Sequence, residues 1–219
     1  MEKVKAPTGG TRRYRSMVRE ESARQTRRTI VVAATRLFEE KGYGGTSLAE
    51  VAAAAGVARP TVTAAFGTKP ALLSDVLDEA LAGDDEPVPV AERPWFRPVW
   101  DARRPGEVLA AYATVCTLIG QRAARLFEVV RRAADASPEV AELWDRSQRN
   151  RRAGSRMVVD QLEVVGVPAG WPGHAKAVDA LWFFNDPSHY DALVRQCGWP
   201  EREFTEWLAQ RMSDALLRP

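Results

Sequence analysis

The hydrophobic and polar positions of the chain follow helical spacing almost throughout, and no stretch alternates as a strand does. The first apolar stripe consists of Ile30, Ala33, Ala34, Leu37 and Phe38. Ser22 and Gln25 form a capping-box pattern ahead of this stripe, and Gly42 interrupts the chain after it. We therefore predict a first helix over residues 22–41.

Three further helices are predicted directly after the first. Ser47 and Glu50 form a second capping box, and Gly56 ends that helix after about two turns. Pro60 suits the first turn of the next helix, because its missing N–H would have no partner there. The predicted helices span residues 47–55, 59–66 and 69–81.

An acidic, proline-rich segment over residues 83–94 indicates a connector between separate helices. Beyond it the helical pattern resumes, and Pro138, Pro187 and Pro200 each stand at a helix start. The predicted helices span residues 105–120, 121–135, 138–165, 173–186, 188–197 and 200–217. The pattern as a whole predicts an all-α fold.

The composition is that of an ordinary globular protein, with 45% apolar and 27% charged residues among 219. Apolar runs stay below the ~18 residues of a membrane span, and the polar start lacks a signal-peptide core. Cys116 and Cys197 lack the spacing of zinc ligands, and His174 and His189 leave little room for a metal or triad enzyme. We therefore expect a cytoplasmic protein without catalytic residues, metal, cofactor or membrane partner.

Charge is distributed unevenly along the chain. Residues 1–69 carry 13 Lys and Arg against 6 Asp and Glu, a net +7, whereas residues 70–219 carry 18 against 23, a net −5. A basic first third indicates either a polyanionic partner or a solubilising tail. Residues 1–21 contain Arg12 and Arg13 but almost no apolar periodicity, so we predict a flexible basic arm there.

The two short helices at 47–55 and 59–66 have the size and spacing of a helix-turn-helix. The second helix of such a unit enters a DNA major groove ~12 Å wide, while the first braces it across the backbone. The outward side chains of the second helix would be Arg59, Thr61, Thr63 and Ala64. A tight corner in an ordinary helical bundle has the same spacing, which leaves both interpretations open.

The residues of this region resemble the TetR (tetracycline-repressor-type) family of transcriptional regulators. The resemblance covers about residues 24–84, and its core at 46–73 reads TSLAEVAAAAGVARPTVTAAFGTKPALL. The positions that match the family spacing are Ala55-Gly56-Val57, Phe66, Lys69 and Leu72-Leu73. Later segments, such as Asp179-Ala-Leu-Trp182 and Gly198-Trp199, are similar to the all-helical effector domains of that family.

The resemblance implies a homodimeric repressor that binds a palindromic operator in double-stranded DNA and releases it when a small-molecule effector binds. It divides the chain into an arm at 1–21, a helix-turn-helix DNA-binding domain at 22–84 with the motif at 47–66, and a ligand-binding and dimerisation domain at 95–219. The first helices of the DNA-binding domain would form a three-helix unit.

The family positions imply particular DNA contacts. Arg59 would read a base, since a guanidinium suits a guanine edge, and Lys69 would contact a phosphate. The full predicted set is Thr46, Ser47, Arg59, Pro60, Thr61, Thr63, Ala64, Lys69, Arg12 and Arg13. The chain departs from the family at Thr63, where tyrosine is usual, at Ala65, where histidine is common, and at Ala58, where a capping serine is common. The arm either compensates for the lost phosphate contacts or is disordered in every state.

The helix at 138–165 predicts a cavity, because its inward face turns small and polar midway, at Ser147, Asn150 and Gly154. The predicted cavity residues are Trp100, Tyr112, Phe127, Trp144, Ser147, Asn150, Arg151, Gly154, Trp182 and Phe183. The effector would then be apolar or aromatic. The same aromatic residues also suit a solid core.

The last two long helices carry apolar stripes that the resemblance places in a dimeric four-helix bundle. The predicted interface residues are Leu181, Phe184, Phe204, Trp207, Leu208, Arg211 and Ala215. The alternative is that both stripes are buried within one subunit.

Two other functions stay open. A constitutive DNA-binding protein without an effector would have a filled carboxy-terminal core. An all-helical enzyme would have to rely on His174 with Asp179, or on Cys197 alone. The sequence does not distinguish repression from activation.

Overall fold

The computed structural model describes the backbone of residues 9–217 and, within that range, the side chains of residue 17 and of residues 19–217. These residues contain ten α-helices and no strand, which confirms the predicted all-α fold. The helices are α1 Gly9–Lys41, α2 Leu48–Ala54, α3 Arg59–Phe66, α4 Lys69–Ala82, α5 Arg97–Asp101, α6 Pro105–Ala133, α7 Pro138–Val165, α8 His174–Phe184, α9 Pro187–Tyr190 and α10 Glu201–Leu217. A π-helical segment, Asp191–Gln196, continues α9. None of the helices in the described range is both long and apolar enough to span a membrane.

The first helix begins earlier than the sequence pattern predicts. The predicted start at residue 22 is wrong, because α1 runs without a break from Gly9 to Lys41. Ser22 is an interior residue whose carbonyl accepts a hydrogen bond from Thr26 Oγ1 at 2.8 Å, so it does not cap the helix. Arg24 and Arg28 on this part of α1 are held by Asp85, a tertiary partner that no local pattern shows. Residues 1–8 and the side chains of Arg12 and Arg13 lie outside the described residues, and the flexible arm stays a prediction.

The two helices predicted at 105–120 and 121–135 are one helix, α6. Gly120 lies inside it and does not end it, because the glycine serves a close approach to Tyr190. A Cβ atom at position 120 would come within 2.6 Å of the Cβ and Cγ atoms of Tyr190. The predicted helix end at Gly120 is therefore wrong, and the glycine permits a close contact with Tyr190 instead.

The buried side chains form two clusters that meet along α6. One cluster joins α1, α2, α3 and α4 to the carboxy-terminal part of α6 and the start of α7. The other joins α5 and the amino-terminal part of α6 to α7, α8, α9 and α10. Leu126 and Phe127 of α6 therefore share a core with Phe38 of α1 and Leu73 of α4. The helix-turn-helix region does not stand apart from the larger helical body.

The two helix-interior glycines of α6 and α7 give a matched test of this packing. We expect Gly120→Ala to lower the free energy of unfolding by about 1–3 kcal/mol, because the added methyl group meets Tyr190 in a filled core. Gly154→Ala should raise it by about 0.5–1 kcal/mol, since nothing lies within 4 Å of the new methyl group and alanine favours a helix. Urea denaturation of both variants measures the difference. Stabilisation by both substitutions would contradict the close contact with Tyr190.

Candidate DNA interface and effector cavity

The start of α2 is fixed by the capping box that the sequence predicts. Ser47 Oγ accepts a hydrogen bond from the Glu50 N–H at 3.2 Å, and the Ser47 N–H donates to Glu50 Oε2 at 2.9 Å. Lys41 Nζ, at the end of α1, donates to Glu50 Oε1 at 2.8 Å. The hydrogen bonds from Lys41 and Ser47 lower the pKa of Glu50 to about 2. The end of α1 and the start of α2 are thereby held together by one carboxylate.

The helix α3 buries one face and exposes the other, as the sequence predicts. Val62 and Phe66 are buried against the neighbouring helices. The outward residues are Arg59, Pro60, Thr63 and Ala64, which are exposed, and Thr61, which is half-buried. The Arg27 guanidinium of α1 lies 4.2 Å from the centroid of the Phe66 ring, and Arg27 Nη1 donates to the Ala65 carbonyl at 2.9 Å. The end of α3 is therefore attached to α1, while its start exposes Arg59.

Thr46 and Lys69 of the predicted DNA-binding set form hydrogen bonds within the chain. Thr46 is only 2% exposed, and its hydroxyl donates to the carbonyls of Leu37 and Gly42. The predicted DNA contact from its side chain is therefore wrong. Lys69 Nζ donates to the carbonyls of Tyr43 and Thr46 at 2.9 and 3.0 Å and lies 4.0 Å from the centroid of the Tyr43 ring. The ammonium group thus joins the start of α4 to the α1–α2 turn and keeps one N–H for another acceptor.

The turn before α2, the start of α2 and the start of α3 surround a shallow surface depression. Gly44–Glu50, Arg59 and Lys69 line it, so the structure brings Ser47, Arg59 and Lys69 of the predicted set to one place. Thr63 and Ala64 continue the exposed face of α3 beyond it.

A cavity of about 810 Å³ lies between α4, the connector at 83–94, α6 and α7. Six of the predicted cavity residues line it: Tyr112, Phe127, Ser147, Asn150, Arg151 and Gly154. The connector, which the sequence pattern predicts only as a separator of helices, also lines the cavity. Asp84–Ala91 form part of the wall, and Asp75, Glu79 and Leu81 of α4 form another part.

Four predicted cavity aromatics lie elsewhere, so those predictions are wrong. Trp100 stacks on Phe96 at 5.0 Å between ring centroids, and Trp144 forms a T-shaped contact with Phe127. Trp182 lies against the guanidinium groups of two arginines of α7, and Phe183 is 60% exposed. Helical spacing alone does not say which neighbour an aromatic side chain packs against.

A buried polar network forms one end of the cavity. Arg151 forms an ion pair with Asp186 at 2.9 Å and donates to the Trp182 carbonyl at 2.8 Å and to Asn185 Oδ1 at 2.9 Å. Asn185 Nδ2 in turn donates to the Tyr112 hydroxyl at 2.9 Å. Burial lowers the pKa of Arg151, an effect that the charge of Asp186 opposes, and burial raises the pKa of Tyr112. The groups of this network satisfy one another without a ligand.

The connector is attached to α1 by ion pairs. Arg24 and Arg28 each bind Asp85 at 2.9 Å, and Arg24 also binds Glu86 at 2.7 Å. The hydrogen bonds from Arg28 and Arg24 hold the pKa of Asp85 well below its usual range. Within the connector, Arg93 is only 4% exposed and binds Asp84 at 2.7 Å. The wall of the cavity is thus connected directly to the first helix.

The apolar stripes of α8 and α10 are mostly buried within the single chain. Leu181, Phe204 and Leu208 are each at most 2% exposed, so their predicted place in a dimer interface is wrong. Phe184 and Trp207 are half-buried, whereas Arg211 and Ala215 are exposed. Phe183 of α8, which the sequence predicts as a cavity residue, is a large apolar group exposed at the surface. The outer faces of these two helices still expose apolar groups.

Comparison with known proteins gives a family match for one segment and a shared fold for most of the chain. Residues 30–76 match the family model of bacterial regulatory proteins of the tetR family. A search of curated protein sequences found no match.

Solved structures share the fold over most of the chain. A transcriptional regulator from Pseudomonas aeruginosa PAO1 is 16% identical, with a TM-score of 0.66, over 86% of this chain and 89% of that one. A regulator from Saccharomonospora viridis, solved in complex with choline, is 15% identical, with a TM-score of 0.67, over 89% and 99%. MexZ, a repressor responsible for antibiotic resistance in Pseudomonas aeruginosa, is 22% identical, with a TM-score of 0.64, over 90% and 97%.

The matched residues run from the apolar stripe of α1 through α2 and α3 into α4, and so contain the whole helix-turn-helix. The fold of the remaining helices is the one that these solved regulators share. The resemblance seen in the sequence is therefore confirmed over residues 30–76, which match the tetR family of bacterial regulatory proteins and contain the helix-turn-helix.

Proposed function

We propose that the chain is a ligand-responsive repressor that binds a palindromic operator as a homodimer and leaves it when a small molecule occupies the cavity. One observation carries this proposal: the walls of the cavity are also the parts that hold the helix-turn-helix. The proposal includes a DNA-binding domain that ends at 84 and a ligand-binding and dimerisation domain over 95–219.

The exposed face of α3 supports the DNA-binding part of the proposal. Its side chains are short apart from Arg59, which projects from the first turn, so the helix can approach base edges closely. The net charge of +7 over residues 1–69 supplies the attraction to phosphates and predicts steeply salt-dependent binding.

The attachment of the cavity to the DNA-binding helices supports the ligand response. The helix α4 begins at the Lys69 contact with the α1–α2 turn and passes the cavity at Glu79 and Leu81. The connector forms another part of the wall and binds Arg24 and Arg28 of α1. A ligand that displaces either wall would change the separation of the two α3 helices, which must match a DNA turn of ~34 Å. Such a ligand must bind the two states with different affinities.

Two of the similar structures agree with this proposal. The Saccharomonospora viridis regulator was solved with a small molecule, choline, and MexZ is described as a repressor. A constitutive DNA-binding protein is favoured less, because its carboxy-terminal core would be filled. An enzyme is also favoured less, because His174 contacts Asp160 at 2.8 Å while Asp179 pairs with Arg152.

Arg59 provides the test of base reading. With an operator selected from random DNA by the wild-type protein, Arg59→Ala should lose discrimination at one base pair per half-site, at a cost of about 1–3 kcal/mol. Fluorescence anisotropy with the operator, its single-base variants and unrelated DNA measures this loss. Arg156→Ala, an exposed arginine of α7, is the matched control and should change nothing. An equal loss on operator and unrelated DNA would contradict the base-reading role.

The outer faces of α8 and α10 provide the test of dimerisation. We expect Phe183→Glu with Ala215→Glu to weaken the dimer by roughly tenfold or more, because both positions are exposed in the single chain and a charge there would enter the contact. Sedimentation velocity measures the oligomeric state. Val164→Glu makes the same change at a residue of α7 that is 79% exposed, and should leave the dimer intact. An unchanged dimer in the double variant would remove these faces from the interface.

Gly154 provides the test of the ligand response. Gly154→Leu should narrow the cavity and abolish release of the operator by compounds that release it from the wild-type protein, while operator binding itself is kept, because Gly154 lines the cavity with open space around its Cβ position. Gly154→Ala adds only a methyl group and should respond as the wild type does. Unchanged release in Gly154→Leu, or loss of folding, would show that Gly154 is not part of the ligand site.

A further inference from the structure

The charges around the cavity are unbalanced. Six carboxylates and two guanidinium groups line it; the carboxylates belong to Asp75, Asp78, Glu79, Asp84, Asp85 and Glu86, and the guanidinium groups to Arg27 and Arg151. Most of the carboxylates have fixed partners on neighbouring elements. Asp75 binds Arg27 at 2.6 Å, and Asp78 accepts from Ser74 at 3.3 Å and lies 3.7 Å from Arg146. The three acidic residues of the connector bind arginines, as described above.

Glu79 is different from the other five. Among the described residues its carboxylate takes part in no hydrogen bond and no ion pair, although it is half-buried on the cavity wall. Burial, followed by the charge of Asp85, raises the pKa of Glu79. Arg27 and Arg28 oppose that effect only through longer-range attraction, since both are engaged by aspartates. Within the described part of the chain, the ionised form of Glu79 therefore has no paired positive charge. The cavity beside it has room for one.

The two guanidinium groups of the lining do not offer a site for an anion. Arg27 is engaged by Asp75 and by the Ala65 carbonyl, and Arg151 by Asp186, Asn185 and the Trp182 carbonyl. An anionic ligand would meet no unpaired positive charge at either group, because Asp75 and Asp186 already pair with them, and it would be repelled by Glu79. A neutral ligand would displace water from Glu79 without replacing the lost solvation.

The rest of the wall suits a ligand with an apolar body. Phe96, Tyr112, Val115, Ile119 and Phe127 line the same cavity. Aromatic faces attract cations, and a volume of about 810 Å³ is in the range that holds a drug-sized molecule.

We propose that the cavity selects amphipathic organic cations, with an ammonium or amidinium group placed at Glu79 and an apolar or aromatic body against the side chains of α6. This inference rests on the proposed ligand response and adds to it the charge of the ligand and the residue that recognises it. It also narrows the apolar or aromatic effector expected from the sequence to one that carries a positive charge.

The experiment uses three probes that share a phenylpropyl body and differ in the charge of the end group. They are 3-phenylpropyltrimethylammonium, its neutral isostere with carbon in place of nitrogen, and 4-phenylbutyrate. The quaternary ammonium does not titrate, so protonation of the probe plays no part. Calorimetric titration of the full chain should give the tightest binding for the cation. Glu79→Gln should lower the affinity for the cation by about tenfold and leave the affinity for the neutral probe unchanged.

Two further variants complete the design. Glu92→Gln removes an exposed carboxylate that does not line the cavity, and should bind all three probes as the wild type does. Glu79→Asp keeps the charge and should keep the preference for the cation, which covers the case in which Glu79→Gln fails to fold. The inference is overturned if the cation shows no advantage, if its advantage survives in Glu79→Gln, or if no cation binds at any usable concentration.

The outcome for operator release separates this inference from the proposed function. If the neutral or anionic probe binds and releases the operator while the cation does neither, the ligand response stands and the cation preference is wrong. If the cation binds in a manner that depends on Glu79 but leaves the operator complex intact, the cation site stands and the ligand response is wrong.

Discussion

The arrangement of this protein depends on the ion pairs between the acidic connector and the arginines of α1. Asp85 is held by Arg24 and Arg28, and its side chain is only 12% exposed. Exposed ion pairs contribute little to stability, but several charges that share one partly buried carboxylate hold a segment in one place. These pairs add to the apolar contacts of Pro87–Ala91 in holding the acidic segment against the cavity. The same contacts attach the wall of the cavity to the first helix of the DNA-binding region.

The core shared by α4 and α6 would let a displacement at the cavity wall reach the helix-turn-helix. Leu126 and Phe127 of α6 pack in the same cluster as Leu73 of α4, and Phe127 also lines the cavity. A close-packed core transmits displacements and does not absorb them, because its side chains leave few voids. In the proposed ligand response, movement of α4 at the cavity would therefore reach Lys69 and the turn that carries Thr46. Thr46 and Lys69 would take part in this coupling through their contacts within the chain.

Local signals predicted the helix-turn-helix well. Ser47 and Glu50 form the capping box that their spacing indicates, and α3 has the predicted bounds of 59–66. Helix ends of this kind depend on residues three or four positions apart, so sequence reasoning can find them. The start of α1 at Gly9 could not be found in this way, because residues 9–21 have almost no apolar periodicity to mark a helix. The role of Gly120 could not be found either, since its neighbour Tyr190 is distant in sequence.

The sequence by itself determined the fold class, the helix-turn-helix, the outward position of Arg59 and the small, polar midpoint of α7 that lines the cavity. Only the tertiary structure decided which surfaces those helices bury. It placed Trp100 and Trp144 outside the cavity, buried Leu181 and Leu208 within one subunit, and brought Glu79 and the connector to the cavity wall. The physical reason is that helical spacing identifies an apolar face but not the element it packs against. The partner of a charged or apolar side chain is set by the three-dimensional packing of residues far apart in the chain.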